Sequence, residues 1–421
     1  MIETKFKETE LGKIPVDWTN SIVADIFEMK RNNTLSRSCL NYTDIAGIKN
    51  IHYGDVLIKF GAFIDVSSAI LPFVNREIQF SPSYLQSGDI IIADTAEDET
   101  VGKASEVINI QDTDKIVAGL HTIVLHPLTD FAPKFLGYYF NGHSYHHSLR
   151  THMQGTKVIS ISKRALNLTT IAYPSNKQEQ TRIAAALSDV EALIAELGVL
   201  IEKKRAIMTA TMQDLLTARR RLPGFVEQWR TVQLKDIAKM QSGGTPSTAI
   251  PSYYTGNIPF LGISDMTASK KYLFATQKHI TEEAVENSSA RIFPAGTFLM
   301  SMYASIGKCV ISSIEIAISQ AILGFYSLSS DIDKDFLYYK LSYFSNDLTT
   351  SGQTGTQSNL NKRIVQNYTI SIPCIKEQQA IATILSDMDA EIVELEAKRD
   401  KYVAIRQGMM QQLLTGKIRL I

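Results

Sequence analysis

The chain has 421 residues, 44% hydrophobic and 20% charged, and its 43 basic side chains are balanced by 43 acidic ones. This composition is ordinary for a globular protein, and the length allows about two to four domains, each with its own core. Zero net charge argues against an autonomous electrostatic nucleic-acid binder, but it leaves room for local patches or for a partner that supplies positive charge. Cys39, Cys309 and Cys374 are odd in number and far apart, which favours neither a zinc cluster nor a disulfide framework. No apolar run approaches the roughly 20 residues that span a bilayer. Met1-Ile2-Glu3-Thr4-Lys5 does not open a signal peptide, so a cytoplasmic location without membrane association is expected.

The first predicted domain covers residues 1–175 and reads as mixed and β-rich. Asp89-Ile90-Ile91-Ile92-Ala93 is a short apolar run after Gly88, as expected of a buried strand. The acidic stretch Asp94, Glu97, Asp98 and Glu99 with Lys103 superficially resembles a metal-dependent nuclease cluster. The second half carries Met302 and Ser305 in that neighbourhood, which favours a solvated loop. Phe135 to Tyr145 has aromatic residues at helical spacing. His143 and His147, four apart beside His146 and His152, could hold zinc. Their counterparts in the second half are Phe344, Asp347 and Leu348, so no metal site is expected. Gln154-Gly155-Thr156-Lys157 offers amide and hydroxyl groups beside glycine, suited to base edges and phosphates, and Lys163-Arg164 follows it.

A long helix is predicted over 176–220. Ile183, Leu187, Val190, Ile194, Leu197 and Ile201 alternate spacings of four and three, a narrow heptad seam. Pro174 stands ahead of it, and Pro223-Gly224 follow. The second domain, 221–373, repeats short blocks of the first in the same order. Trp18, Asp25, Ile26 and Met29 correspond to Trp229, Asp236, Ile237 and Met240, and Gly102-Lys103 to Gly307-Lys308. Phe135-Leu136 matches Phe336-Leu337, Gly155-Thr156 matches Gly355-Thr356, and Lys163-Arg164 matches Lys362-Arg363. Within it, Ser242-Gly243-Gly244-Thr245-Pro246-Ser247 and Ser351 to Ser358 read as loops, Thr297 to Ser301 as a strand and Phe336 to Phe344 as a helix.

Residues 374–421 return the long helix at a shift of about 198 residues, with Ile381, Leu385, Met388, Ile392 and Leu395 on its seam. Roughly half of the 44 or so paired positions are identical, among them Leu187-Ser188-Asp189 with Leu385-Ser386-Asp387. Each helix of about 37 residues would run on the order of 55 Å. The narrow seams favour pairing of the two copies, antiparallel, over packing of each on its own domain. The expected fold is α+β: two β-rich domains joined by two long helices in an antiparallel coiled coil, with pseudo-two-fold symmetry. No catalytic constellation is found. There is no phosphate loop of the G-x-x-x-x-G-K-[ST] kind, no G-x-G-x-x-G turn after a strand, no G-x-S-x-G elbow and no Asn/Asp-Pro-Pro-aromatic tetrapeptide.

The order of features resembles the DNA-specificity subunit of Type I restriction-modification systems. Leu11-Gly12-x-Ile14-Pro15-x-x-Trp18 looks like that family's N-terminus. The Ser242 to Ser247 loop, Tyr253-Tyr254-x-Gly256-x-Ile258-Pro259-Phe260 and Asp265-Met266 look like the start of one of its target-recognition domains. Pro373-x-x-x-Glu377-Gln378-Gln379-x-Ile381-Ala382 and Leu413-Leu414-Thr415-Gly416 resemble its conserved helix. The first domain departs from this pattern, reading Lys30-Arg31-Asn32-Asn33-Thr34 where the second has Gly-Gly-Thr-Pro. The resemblance implies a non-catalytic subunit whose two target-recognition domains read a split, non-palindromic site in double-stranded DNA. Its helix pair would space the domains and dock two methyltransferase subunits, with restriction/translocase subunits joining. It also implies that the chain holds no cofactor, S-adenosylmethionine, ATP and magnesium being expected in the partner subunits. Candidate DNA contacts are Gly155, Thr156, Lys157, Lys163 and Arg164 in the first domain. In the second they are Ser242, Gly243, Gly244, Thr245, Pro246, Ser247, Tyr303, Gly355, Thr356, Gln357, Lys362 and Arg363. The rival reading is a structural coiled-coil protein whose end domains bind protein or carbohydrate.

Overall fold

Two predicted strands set the centre of each domain. The computed structural model describes residues 5–43, 47–345 and 360–421, and it places Ile90–Ala93 and Phe298–Ser301 inside five-stranded sheets. All four residues of each strand are buried, which is why these runs are apolar throughout rather than alternating. The chain forms two compact units, Met1–Gly198 with Lys398–Ile421, and Val199–Ala397.

In the first unit the large sheet runs Phe27–Lys30, Thr122–Pro127, Ile90–Ala93, Ala104–Ile108, Phe63–Asp65. In the second it runs Ala238–Ser242, Ile322–Leu328, Phe298–Ser301, Cys309–Ser312, Tyr272–Leu273. Both sheets are antiparallel except for the last pair. Each unit adds a four-stranded sheet around a parallel pair, Lys49–Ile51 with Ile116–Ala118 in one and Ile258–Leu261 with Ile316–Ile318 in the other. A two-stranded ladder then leads into each long helix: Trp18–Ile22 pairs with Thr170–Pro174, and Arg230–Gln233 with Thr369–Ile372.

The long helices span Lys177–Leu216 and Ile375–Leu413. Each is shared, its first half belonging to one unit and its second half to the other. Ion pairs between the helices fix their antiparallel sense inside each unit. In the first unit Arg406 Nη1 lies 3.1 Å from Glu191 Oε1. In the second, Lys204 Nζ lies 2.7 Å from Glu391 Oε1 and Arg205 Nη2 2.5 Å from Glu396 Oε1.

The seams serve two purposes. Ile183 and Leu187 join the first domain's core with Trp18, Phe135, Tyr139, Leu413 and Leu414. Ile381 and Leu385 join the second domain's core with Leu215, Leu216, Phe298 and Phe336. Leu197 and Ile392 are buried further along, while Val190, Ile194, Met388 and Leu395 are half-buried. Helix pairing and domain packing, separate alternatives in the sequence, are therefore combined. The first turns of each seam meet an aromatic helix of the domain as well as the end of the other long helix.

A buried ionic clamp closes each unit. Glu179, in the first turn of the first helix, accepts two hydrogen bonds from Arg419, which lies beyond the end of the second: Nε to Oε1 at 2.5 Å and Nη2 to Oε2 at 2.7 Å. Glu377 accepts the same pair from Arg221, both at 2.7 Å. Each guanidinium stacks 5.9 Å from the ring of the equivalent tryptophan, Trp18 or Trp229. Arg419 also grips Asp17 with both Nη atoms and holds that carboxyl below its ordinary range. The neighbouring glutamines repeat too. Gln180 donates to Pro174 O and accepts from Ala132 N, while Gln378 donates to Pro373 O and accepts from Asp333 N.

Removing one partner of a buried, bidentate pair leaves a stranded charge, at a cost of about 3–5 kcal/mol. Arg419→Ala is therefore expected to lower stability by about that amount, measured from the urea midpoint at constant m-value. Arg221→Ala should cost less, because Arg221 is more exposed than Arg419. Arg419→Lys, which keeps charge but not the fork, should fall between wild type and Arg419→Ala.

Candidate nucleic-acid interface

At one end of each large sheet the two units share a hydrogen-bond skeleton. In the first unit Gly102 N donates to Ala93 O, and Ala93 N to Lys103 O. Asp94 N donates to His121 O, and Ile161 N to Asp94 O. In the second unit Gly307 N donates to Ser301 O, Ser301 N to Lys308 O, Met302 N to Ala321 O, and Leu360 N to Met302 O. The loops 30–33, 94–101, 119–121 and 154–164 are thereby gathered at one end of the first unit. In the second, 242–247, 302–306, 319–321 and 360–363 are gathered in the same way. Backbone is held in common, and side chains are not.

Gly155, Thr156, Lys157, Lys163 and Arg164 are all exposed. Gly155 adopts φ +114°, and a Cβ there would meet Val158 O at 1.9 Å, so the turn requires glycine. The strand Ile159–Ser160 pairs with Thr95–Ala96, fastening this loop to the acidic one. Lys163 and Arg164 open a short helix capped by Ser162, whose side chain accepts from Ala165 N. Lys362 and Arg363 open its equivalent, capped by Asn361 through Ile364 N. Lys163 Nζ donates to Asn32 Oδ1 at 3.0 Å, and Asn32 Nδ2 donates to Gly119 O at 3.2 Å. The Lys30 to Thr34 segment that stands in for Gly-Gly-Thr-Pro thus reaches the same end of the fold.

In the second unit Ser242 closes the strand Ala238–Ser242. Gly243 N donates to Ile322 O and Gly244 N to Ile318 O, so the loop bridges the two sheets. A Cβ at Gly243 would lie 1.8 Å from Ile318 O, and one at Gly244 2.3 Å from Ser289 O. Both glycines are there for close packing of backbone on backbone. Pro246 is buried and its carbonyl accepts from Tyr254 Oη at 2.7 Å, while Thr245 and Ser247 are exposed. Tyr303 is exposed beside Ala304 and Ser305, two non-glycine residues at positive φ. Lys362 and Arg363 are exposed. Gly355, Thr356 and Gln357 lie outside the described residues.

Sequence reasoning missed Asn32, His121 and Gln320 at this end. Gln320 N reaches Thr245 Oγ1 at 3.5 Å. Only the out-of-pattern Lys30 to Thr34 segment gave a signal, since His121 and Gln320 stand in turns with no counterpart by sequence. The acidic loop folds on itself and its neighbours: Asp98 holds Thr100, Glu99 pairs with Arg150, and Asp94 bonds Thr95 Oγ1 and His121 Nδ1. His143 and His147 stack with ring centroids 6.0 Å apart. Among the described residues no group of three or more His, Cys, Asp or Glu is placed to hold a metal ion, and no helix is long and apolar enough to cross a membrane.

Gly243→Ala and Gly244→Ala are expected to destabilise by about 1–3 kcal/mol or more through backbone clash, whereas Thr245→Ala and Ser247→Ala should leave the thermal midpoint nearly unchanged. Differential scanning calorimetry on the four variants separates the packing residues of this loop from its free ones.

Comparison with known proteins matches residues 15–203 and 226–403 to the family model described as "Type I restriction modification DNA specificity domain". A relative from Methanocaldococcus jannaschii, the putative type I restriction enzyme MjaX specificity subunit, is 24% identical over 99% of this chain and 97% of its own length. The EcoR124I/EcoR124II specificity subunit of Escherichia coli is 26% identical over 56% of this chain and 59% of its own length. The crystal structure of a Type I restriction-modification S subunit from M. genitalium superposes with a TM-score of 0.58 at 15% identity, covering 98% of this chain and 99% of that one. A chain from a structure of complex assembly and conformational transition of the type I R-M system gives 0.62 at 17% identity, covering 96% and 100%.

Proposed function

We propose a function from one premise: the chain belongs to the Type I restriction-modification DNA specificity family, whose domain it carries twice, and it is a non-catalytic specificity subunit. The β-rich domains then read two different segments of double-stranded DNA, one each. The observation that carries this reading is the common skeleton with unlike side chains. A frame that must present loops to one kind of partner is kept, and the groups that would touch base edges have diverged. Because the loops differ, the two segments differ, and the site is non-palindromic.

Each long helix runs about 60 Å at 1.5 Å per residue, longer than a duplex turn of about 34 Å, which supports unread base pairs between the segments. The helices also leave Val199, Ile207, Val393 and Ile405 exposed, apolar contacts available to the two methyltransferase subunits. Restriction/translocase subunits join through that assembly. S-adenosylmethionine, ATP and magnesium belong to those partners in this reading. The rival, a structural coiled coil with protein- or carbohydrate-binding ends, loses its footing to family membership.

Methylome sequencing of cells with and without the gene tests the reading: a bipartite, non-palindromic adenine-methylated motif should vanish with the gene. Removing one heptad from both helices should change the tolerated gap, and an unchanged gap would sink the spacer role. Lys163→Ala and Lys362→Ala should each weaken binding about equally on all sequences and reduce the salt slope by roughly 1.

A further inference from the structure

We infer that Asp94 and His121 form a base-reading pair that accepts a hydrogen bond from an exocyclic amino group in the DNA segment read by the first unit. The inference rests on the DNA-reading function proposed above and goes on to name the group that is read.

The pair occupies a node of the shared skeleton. Asp94 N donates to His121 O at 3.1 Å, and Ile161 N donates to Asp94 O at 2.9 Å. In the second unit the same two bonds are made by Met302 with Ala321 at 2.8 Å and Leu360 with Met302 at 3.2 Å. The backbone is equally committed in both units, yet one node carries a carboxylate and an imidazole while the other carries a buried thioether and a methyl. A purely structural node would not need a polar pair in one copy alone.

The pair is built to face outward. Asp94 Oδ1 accepts from Thr95 Oγ1 at 2.7 Å and sits 3.2 Å from His121 Nδ1. Tyr53 packs edge-on against the imidazole at 5.3 Å and holds its plane. His121 adopts φ +55°, a left-handed conformation that histidine, asparagine and aspartate take up more readily than other non-glycine residues. Its side chain is half-exposed and that of Asp94 a quarter exposed. Among the described residues, Asp94 Oδ2 and His121 Nε2 have no hydrogen-bond partner.

The chemistry follows from the proton. The tautomer that carries its proton on Nδ1 donates it to the Asp94 carboxylate and leaves Nε2 an acceptor. Oδ2 is an acceptor as well. Two adjacent acceptors reject phosphate oxygens and the keto edges of guanine and thymine. They suit an amino group in the major groove, cytosine N4 or adenine N6. Adenine presents N7, a further acceptor, beside its amino group, whereas cytosine does not, so the pair favours cytosine.

The test is selection of randomised duplex DNA by the full-length chain assembled with its methyltransferase subunits, comparing wild type, Asp94→Asn and His121→Asn. Asparagine tolerates the left-handed backbone at 121, and Asp94→Asn is isosteric, so a fold lost in one variant leaves the other informative. Both variants should relax or switch the preference at one position of one segment by roughly tenfold or more, with every other position and the second segment unchanged. A wild-type preference for cytosine there supports the cytosine assignment, and one for adenine keeps the amino-group reading but moves its source. Unchanged preferences, or an even loss across all positions, would overturn the pair as a reader. A wild-type chain that selects no bipartite motif would instead overturn the proposed function itself.

Discussion

Everything in this fold depends on an exchange of ends. The glutamate that opens each long helix is satisfied only by an arginine lying past the close of the other, Glu179 by Arg419 and Glu377 by Arg221. A buried carboxylate has few acceptable states, and a bidentate guanidinium stacked on an indole is one of them. The net stability of such a pair is small, because both charges are desolvated. Its value lies in what it forbids. A parallel pairing, or a slip of one turn, would leave a charge buried without its partner in each unit, so the clamp fixes direction and register where a heptad seam alone allows alternatives.

With the helix ends fixed, the domains inherit a fixed frame. Tyr138 Oη meets Ser188 Oγ and Tyr339 Oη meets Ser386 Oγ, tying the equivalent aromatic helix of each domain to the same Leu-Ser-Asp turn. Substitution is tolerated only where it is compensated. Tyr139, whose hydroxyl oxygen accepts from Ala172 N, is replaced in the second unit by Lys340, whose ammonium donates to Leu216 O. Burial pushes that lysine down to about 8, yet it sits at the C-terminus of a long helix between two aromatic faces, where a cation is favoured. The frame absorbs such a change without losing its outline.

Much of this was legible in the sequence because repetition is visible without coordinates. The helices, the central strands and the paired Trp, Gly-Lys and Lys-Arg blocks all announce themselves by recurring in order. What was not legible has a physical cause. The Glu179–Arg419 pair is separated by 240 residues, and heptad counting cannot distinguish a seam residue that faces only the other helix from one that also joins a domain core, as Ile183 and Leu187 do. Gly243 and Gly244 read as a flexible loop, but a glycine chosen for close backbone packing looks the same in sequence as one chosen for motion. His121 was invisible because its position is defined by a hydrogen bond to Asp94 and by no neighbour in the chain.

The neutral charge, which first counted against DNA, also finds its place. Many of the cations are spent inside the frame: Arg419, Arg221, Lys271, Arg406 and Lys30 are each paired with a carboxylate. Those left exposed at the loop end are few, and in the first unit an acidic loop stands beside them. An interface of this kind gains little from non-specific phosphate attraction, since each neutralised phosphate contributes to affinity on any sequence. Under the proposed function, weak non-specific binding would raise the share of discrimination carried by base contacts and would leave the electrostatic part of affinity to partner subunits. In that proposal, a reader with little general affinity of its own, joined to partners that supply it, would distinguish sites better than one that grips all DNA.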